Sequence, residues 1–290
     1  MEKLFKKLNL YKLRAKNYFR FASKKLKKVE KLYYVEVHLA EHCNLNCAYC
    51  THFSPIAEPS FCDIEIFRKD MQQLALLTNS DIDDIRLLGG EPLLNEQCCE
   101  FFNITRYYFP KTRISIVTNG ILLKNQNESF FESCKRNKIK IECTKYPLKL
   151  NYDEIEQYVI EKGIEFTFAR VDRSVNSIFV KFSLSLKGKM PKFLSYIPCS
   201  MARDCTFLKN GKIFHCPIVG NIEIFNKYFN QNLLVTDKDY IDIHKVKNLK
   251  EILNFLSHSI PFCRYCNFKK INFALWKLSK KSIEEWTCKE

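Results

Sequence analysis

The stretch that decides the fold is Cys43–Cys50, which reads CNLNCAYC and directly follows a predicted strand over Leu32–Leu39. The β-branched and aromatic residues that alternate in that segment are typical of a strand. Three thiols at the spacing Cys-x3-Cys-x2-Cys can ligate three irons of a four-iron cluster, which proteins hold through cysteine thiolates. We therefore expect Cys43, Cys47 and Cys50 to be metal ligands, with one iron open to a further ligand.

Two more motifs follow at the ends of the next predicted strands. Residues 87–92 read LLGGEP, and Thr118-Asn119-Gly120 follows a third apolar segment. Together with the cysteines, these motifs resemble the signature of the radical S-adenosylmethionine (SAM) superfamily. The resemblance implies that SAM chelates the open iron through its amino and carboxyl groups, and that reduction releases a 5′-deoxyadenosyl radical which abstracts hydrogen from a substrate.

The same resemblance implies a set of SAM-binding residues. An aromatic residue before the third cysteine lies beside the adenine in this family, and the Gly-Gly-Glu-Pro motif holds the SAM amino group. A carboxylate beside two glycines can also approach a ligand closely. The further contacts lie at later strand ends, and the predicted cofactor-binding residues are Tyr49, Gly89, Gly90, Glu91, Asn119, Thr144 and Arg170.

The order of predicted elements indicates an α/β fold. Strands that alternate with helices imply a parallel sheet with right-handed crossovers. The strands are predicted over 32–39, 84–88, 114–118, 140–145, 164–170 and 179–186, and the helices over 64–78, 95–108, 127–137 and 152–162. Asn95 is the expected N-cap of the second helix. Family resemblance implies that they form a partial (β/α)6 TIM-like barrel, with the chemistry at the carboxyl ends of the strands.

A second group of cysteines follows residue 190, where the alternation ends. Residues 206–216 in this region are predicted to form a hairpin that turns at Asn210-Gly211. Cys199, Gly211 and Cys216, followed by Cys263-x2-Cys266, resemble the auxiliary-cluster region of radical SAM enzymes with a shortened SPASM, or Twitch, domain. The resemblance implies that Cys199, Cys216, Cys263 and Cys266 hold an auxiliary [4Fe-4S] cluster. Cys205 competes with Cys199 for the first position, and the spacing to Gly211 favours Cys199.

Zinc is the alternative metal at both cysteine groups. Zinc prefers four tetrahedral ligands, so His42 or His52 could complete the first set, and the four later thiols could bind zinc themselves. The chain would then be a non-catalytic zinc-binding adaptor. That alternative leaves the Gly-Gly-Glu-Pro motif without a role.

Composition and charge bound the remaining possibilities. The chain has 290 residues and a net charge of +15, and residues 1–31 carry twelve Lys and Arg against two Glu. Apolar residues recur there every three or four positions, so we expect an amphipathic basic helix over 3–30. The predicted organisation is therefore a basic helix over 1–31, a radical SAM partial barrel over 32–190 and an auxiliary-cluster domain over 191–290.

Localisation and partners follow as expectations. With no apolar signal segment and no apolar run of 18 residues, fourteen cysteines indicate metal binding in a cytoplasmic protein. The basic helix could contact a partner protein or, peripherally, the inner membrane surface; nucleic acid is not favoured as a partner. The family needs an electron donor such as flavodoxin or ferredoxin.

The substrate is not determined by the sequence. The run from Cys43 to Pro55 resembles radical SAM proteins of surface-polysaccharide metabolism, which favours a sugar, nucleotide-sugar or aminocyclitol. A peptide or RNA substrate is the alternative.

Overall fold

A computed structural model describes residues 30–169, 172–175 and 177–288 of the chain. The predicted N-terminal helix and Arg170 fall outside these ranges. Within them, no helix is long and apolar enough to cross a membrane.

Five parallel strands form one side of the main sheet, and their order in space follows their order in the chain. Each strand pairs in parallel with the next. Parallel pairing places all five carboxyl ends at one edge of the sheet, where the predicted motifs meet. The strands are β1 (Tyr34–Ala40), β2 (Asp84–Gly89), β3 (Arg113–Thr118), β4 (Ile139–Cys143) and β5 (Phe166–Phe168).

Helices connect these strands and cover one face of the sheet. They are α1 (Ile64–Thr78), α2 (Cys98–Tyr108), α3 (Glu128–Arg136) and α4 (Tyr152–Glu161). Capping side chains fix where three of them begin. The Asp63 carboxylate accepts from the second and third peptide N–H groups of α1, and Asn127 and Asn151 accept from the third peptide N–H group of α3 and of α4, respectively. The predicted α/β class with a largely parallel sheet is confirmed.

Helix α2 begins three residues later than predicted. The side chain of Asn95, which was expected to cap the helix, donates to the carbonyl of Leu39 at 2.9 Å and accepts from the N–H of Gln97 at 2.9 Å. These bonds tie the segment before the helix to the end of β1. The predicted cap therefore stabilises a turn beside residues 43–50, which we call the cluster loop, and does not cap the helix.

The predicted sixth barrel strand does not join the main sheet. It is shorter than predicted, β6 (Ile178–Lys181), and pairs antiparallel with β10 (Asn272–Leu275) in a separate two-stranded sheet. The (β/α)6 prediction is thus corrected to five consecutive parallel strands. The physical reason is that a partner nearly a hundred residues further along the chain supplies the hydrogen bonds of β6.

A hairpin from the C-terminal region extends the main sheet beyond β1. Its strands are β7 (Phe207–Lys209) and β8 (Lys212–Phe214), and β7 pairs in parallel with β1. The turn is the one predicted, because Asn210 and Gly211 both adopt positive φ angles, 49° and 72°. The predicted regions 32–190 and 191–290 therefore share one sheet.

The rest of the C-terminal region is built from short elements. These are β9 (Ile241–Asp242), α5 (Lys192–Tyr196), α6 (Met201–Asp204), α7 (Pro217–Gly220), α8 (Ile222–Phe229) and α9 (Leu249–Leu256). β9 pairs with β8 in the main sheet, and Ile252 of α9 lies in the core of that sheet. Helices α5 to α8 line a second apolar core that contains Phe53, Phe225, Phe262 and Trp286. Since Phe53 follows the cluster loop directly, this core joins the loop to the C-terminal region.

Candidate functional site

Two glycines at the end of β2 bring its backbone against the cluster loop. The N–H of Gly90 donates to the carbonyl of Ala40 at 2.8 Å, and the N–H of Glu91 donates to that of His42 at 3.0 Å. A Cβ atom on Gly89 would lie 2.1 Å from the Ala40 oxygen, and one on Gly90 would lie 2.0 Å from the His42 oxygen. Only glycine permits this approach. The glycines thus allow the end of β2 to pack closely against the cluster loop, and their contact with SAM stays a prediction.

Glu91 places a fully buried carboxylate beside this junction. Oε1 accepts hydrogen bonds from the Thr118 hydroxyl at 2.7 Å and the Leu93 N–H at 3.2 Å, and Oε2 accepts from the Asn119 N–H at 2.9 Å. Burial raises the pKa of Glu91 to about 7 despite these donors. No ion pair to Glu91 occurs among the described residues. A cation near this carboxylate would therefore be stabilised strongly.

Asn119 links Glu91 to the first predicted ligand. Its side-chain Nδ2 donates to Asn44 Oδ1 at 2.7 Å and lies 3.8 Å from Cys43 Sγ. Thr144 stands just after β4, where its N–H donates to the carbonyl of Thr118 at 2.9 Å. The structure thus brings Glu91, Asn119 and Thr144 together at adjacent strand ends, and their contacts with SAM stay predictions.

The three thiols of the cluster loop lie close enough to interact with one another. Cys47 is buried, and Cys43 and Cys50 are half-buried. Burial raises the pKa of Cys43 and of Cys47, each to about 12, and also raises that of Cys50, while interactions among the thiols act in the same direction. Three thiolates so placed require a compensating cationic group. That chemistry fits an iron-sulfur cluster.

Aromatic residues that the sequence reasoning missed surround these thiols. The hydroxyl of Tyr146 interacts electrostatically with all three cysteines and with Glu91, and burial raises its pKa. The indole N–H of Trp276 donates to Cys47 Sγ at 3.1 Å, and that of Trp286 donates to the Cys50 carbonyl at 2.7 Å. The available signal was compositional, since the chain has 2 tryptophans and both lie within its last 15 residues.

Tyr49 faces two lysines from the two-stranded sheet and the segment after it. The amino groups of Lys181 and Lys277 lie 5.5 and 5.4 Å from its ring centroid. The backbone of Tyr49 has a φ of 66°, a left-handed conformation that an aromatic residue rarely adopts. The loop therefore holds this ring in a strained position beside positive charge.

The second cysteine group also comes together. Cys199 interacts electrostatically with Cys216, Cys263 and Cys266, and burial raises the pKa of all three of these, that of Cys263 to about 12. Cys205 interacts electrostatically with the phenol of Tyr34 on β1. The four thiols of the predicted set thus lie near one another, and the choice between Cys199 and Cys205 stays a prediction. Their role as ligands stays a prediction.

Neither thiol group is arranged as a site for one metal ion: across the described ranges, no three His, Cys, Asp or Glu side chains are placed to hold such an ion.

A cavity of about 820 Å³ lies between α1, the hairpin and α8. Its lining includes Glu41, Cys62 and Lys209 but neither Glu91 nor Cys43, Cys47 and Cys50.

Sequence comparisons with known proteins found a matching family model and similar enzymes. A family model described as a 4Fe-4S single cluster domain matches residues 34–143. A GTP 3′,8-cyclase of Clostridium botulinum (strain Okra / Type B1) is 23% identical in an alignment 260 residues long, and the match covers 82% of this chain and 77% of the cyclase.

Two solved structures are also similar. BtrN in complex with AdoMet and 2-DOIA matches with a TM-score of 0.49 and 19% identity, over 82% of this chain and 94% of that one. The structure of anSMEcpe with bound AdoMet and Cp18Cys peptide matches with a TM-score of 0.37 and 19% identity, over 47% of this chain. That second match spans less than half of the anSMEcpe chain, 42%.

Proposed function

We propose that this chain, which belongs to the radical SAM superfamily, is an enzyme that binds SAM between Glu91 and the three thiols of the cluster loop. The cofactors of this superfamily are a [4Fe-4S] cluster and SAM. When bound and reduced, they supply a 5′-deoxyadenosyl radical that abstracts a hydrogen atom from the substrate. The chain's own residues then bind SAM, orient the substrate and exclude other hydrogen donors.

The observation that carries the proposal is the uncompensated carboxylate of Glu91. It is fully buried, its pKa is raised to about 7, and it interacts electrostatically with Cys43. An ammonium group supplies the missing positive charge, and SAM carries one next to the carboxylate that would reach the open iron. Hydrogen bonds from Thr118 and Asn119 to its two oxygens fix the orientation of the Glu91 carboxylate.

The proposed ligands divide into two sets. Cys43, Cys47 and Cys50 hold the cluster that binds SAM. Cys199, Cys216, Cys263 and Cys266 hold an auxiliary cluster. Four thiolates leave no open iron in the second set, which favours electron transfer over substrate binding. Such a cluster could accept the electron left on a substrate radical, giving a net two-electron oxidation.

The proposed substrate is a sugar, a nucleotide-sugar or an aminocyclitol. The amino groups of Lys181 and Lys277 place positive charge beside Tyr49, which suits a phosphorylated molecule. The sequence likeness to GTP 3′,8-cyclases, whose name states a nucleotide substrate, supports the nucleotide-bearing members of this class. A flavodoxin or ferredoxin is the proposed electron donor.

SAM affinity tests the assignment of Glu91. Replacing Glu91 by Gln removes a charge-assisted hydrogen bond of about 1.5–3 kcal/mol, so the anaerobically reconstituted variant should bind labelled SAM about 10- to 150-fold more weakly. Glu36→Gln is the matched control, because Glu36 is also a buried carboxylate whose pKa burial raises, but it lies within β1. Equal SAM affinity in wild type and the Glu91 variant would reject the proposed site.

A substrate panel tests the proposed class. Nucleotide-sugars, GTP, an aminocyclitol and a cysteine-containing peptide are each added with SAM and dithionite, and formation of 5′-deoxyadenosine is measured. Stimulation by a nucleotide-sugar or aminocyclitol, with deuterium transfer from the labelled compound, supports the proposal. Stimulation by the peptide alone contradicts the substrate class while leaving the radical activity intact.

A further inference from the structure

Both tryptophans of the chain donate their indole N–H groups to the cluster loop. Trp276 bonds the sulfur of Cys47 at 3.1 Å, and Trp286 bonds the carbonyl oxygen of Cys50 at 2.7 Å. The two donors come from residues 272–288, which we call the C-terminal strap. The strap lies more than two hundred residues from the loop in sequence, so these contacts exist only in the folded chain.

Backbone hydrogen bonds hold the strap against the loop from two sides. Ala48 N–H donates to the carbonyl of Lys277 at 2.9 Å, and Ser279 N–H donates to that of Asn46 at 2.8 Å. These bonds flank Cys47 and form a short antiparallel bridge to Leu278. The start of the strap is β10, whose antiparallel pairing with β6 anchors it to the segment that follows β5.

The bridge fixes the direction of the Trp276 side chain. Trp276 follows β10 directly and is half-buried, with its ring centroid 6.4 Å from that of Tyr146. Its indole N–H therefore meets a sulfur atom from a defined direction. Trp286 differs in kind: its ring is buried in the second core, and its acceptor is a peptide oxygen.

We propose that Trp276 is a positioning residue that sets the reduction potential of the cluster held by the loop, through its hydrogen bond to the Cys47 sulfur. This inference rests on the proposed function. A donor on a ligand sulfur withdraws electron density and stabilises the reduced, more negative cluster. Trp276 thereby makes the cluster easier to reduce, while the strap's backbone bonds hold the loop's shape.

The reduction potential tests this role directly. Trp276→Phe keeps an aromatic ring but removes the N–H, so the reconstituted variant should show a more negative potential in a redox titration followed by electron paramagnetic resonance. The signal to follow is the one that SAM addition perturbs, because SAM reaches only a cluster with an open iron. Trp286→Phe is the matched control and should retain the wild-type potential.

Three outcomes overturn the inference. Equal reduction potentials in wild type and the Trp276→Phe variant would show that the hydrogen bond has no effect on the potential. Equal shifts in both tryptophan variants indicate a loosened strap instead of a sulfur contact. A Trp276→Phe chain that takes up no iron also overturns it, because the indole would then be needed to hold the cluster and would not only set its reduction potential. A wild-type chain that takes up no iron rejects the proposed function itself.

A second measurement tests the contact without iron. In the metal-free Trp286→Phe chain, Trp276 is the remaining tryptophan, and a sulfur atom in contact with an indole quenches its fluorescence. Cys47→Ala in this background should raise the emission, whereas Cys50→Ala should leave it unchanged. Equal emission in the two cysteine variants would overturn the assigned contact whether or not the chain is an iron-sulfur enzyme.

Discussion

Replacing Glu91 by Gln measures the cost of burying a carboxylate at the candidate site. Burial raises its pKa from 4.5 to about 7, against hydrogen bonds from Asn119, Thr118 and Leu93 that lower it. The folded pKa exceeds the unfolded one, so the folded chain holds a proton that the unfolded chain has lost between these pH values. The stabilisation from Glu91 is therefore fully present below about pH 4.5 and is lost as the pH rises through 7.

The size of the effect follows from the pKa difference. At about 1.4 kcal/mol per pKa unit, a rise from 4.5 to about 7 corresponds to about 3 kcal/mol. The free energy of unfolding of the wild-type chain should thus fall by about 3 kcal/mol relative to that of the Gln variant between about pH 4.5 and 8. A missing acceptor for the Asn119 N–H costs the variant a further, pH-independent amount.

The assay is urea denaturation of the metal-free, fully reduced chain, followed by circular dichroism at a series of pH values. Subtracting the two free energies removes the contribution of the histidines, which both chains share. Glu132→Gln on the exposed face of α3 is the control and should give a nearly flat difference, since exposed charges contribute little. A flat difference for Glu91→Gln as well would refute the burial argument.

The remaining predictions concern the second cluster, the β2 junction and a helix cap. Cys199→Ala should lower bound iron from about eight to about four per chain, whereas Cys205→Ala should keep about eight; equal iron contents would contradict the ligand choice. Gly90→Ala places a Cβ 2.0 Å from the His42 oxygen and should lower the free energy of unfolding in urea by about 1–3 kcal/mol. An unchanged free energy of unfolding would contradict the tight packing of β2 against the loop. Asn248→Ala removes the cap of α9 and should cost about 1 kcal/mol; no loss would contradict the capping role.

Local sequence signals were sufficient to predict the bounds of α1 and the position of the hairpin turn. Helix α1 has the predicted bounds because an apolar stripe and a capping Asp63 act within fifteen residues. The hairpin turn at Asn210-Gly211 was predictable for a similar reason, since these residues accept positive φ angles. The motif residues meet because parallel strands share an edge, so sequence spacing and topology together place Glu91 near the cluster loop.

Long-range pairing accounts for what the sequence did not reveal. The segment of β6 has no local feature that distinguishes a barrel strand from one paired with β10. The contact of Trp276 with the cluster loop follows that pairing, and the contacts of Trp286 and Tyr146 likewise join the loop to residues far along the chain. Asn95 shows the related difficulty on a smaller scale, because a side chain suited to capping formed a tertiary hydrogen bond instead.

The central claim is that the loop thiols hold a cluster that cleaves SAM. The most direct test is iron and sulfide content after anaerobic reconstitution, with SAM cleavage under dithionite, in wild type and in the Cys43/Cys47/Cys50 triple Ala variant. We expect about eight irons in wild type, about four in the variant, and 5′-deoxyadenosine from wild type only. Zinc in place of iron, or no SAM cleavage by the iron-loaded wild type, would contradict the account.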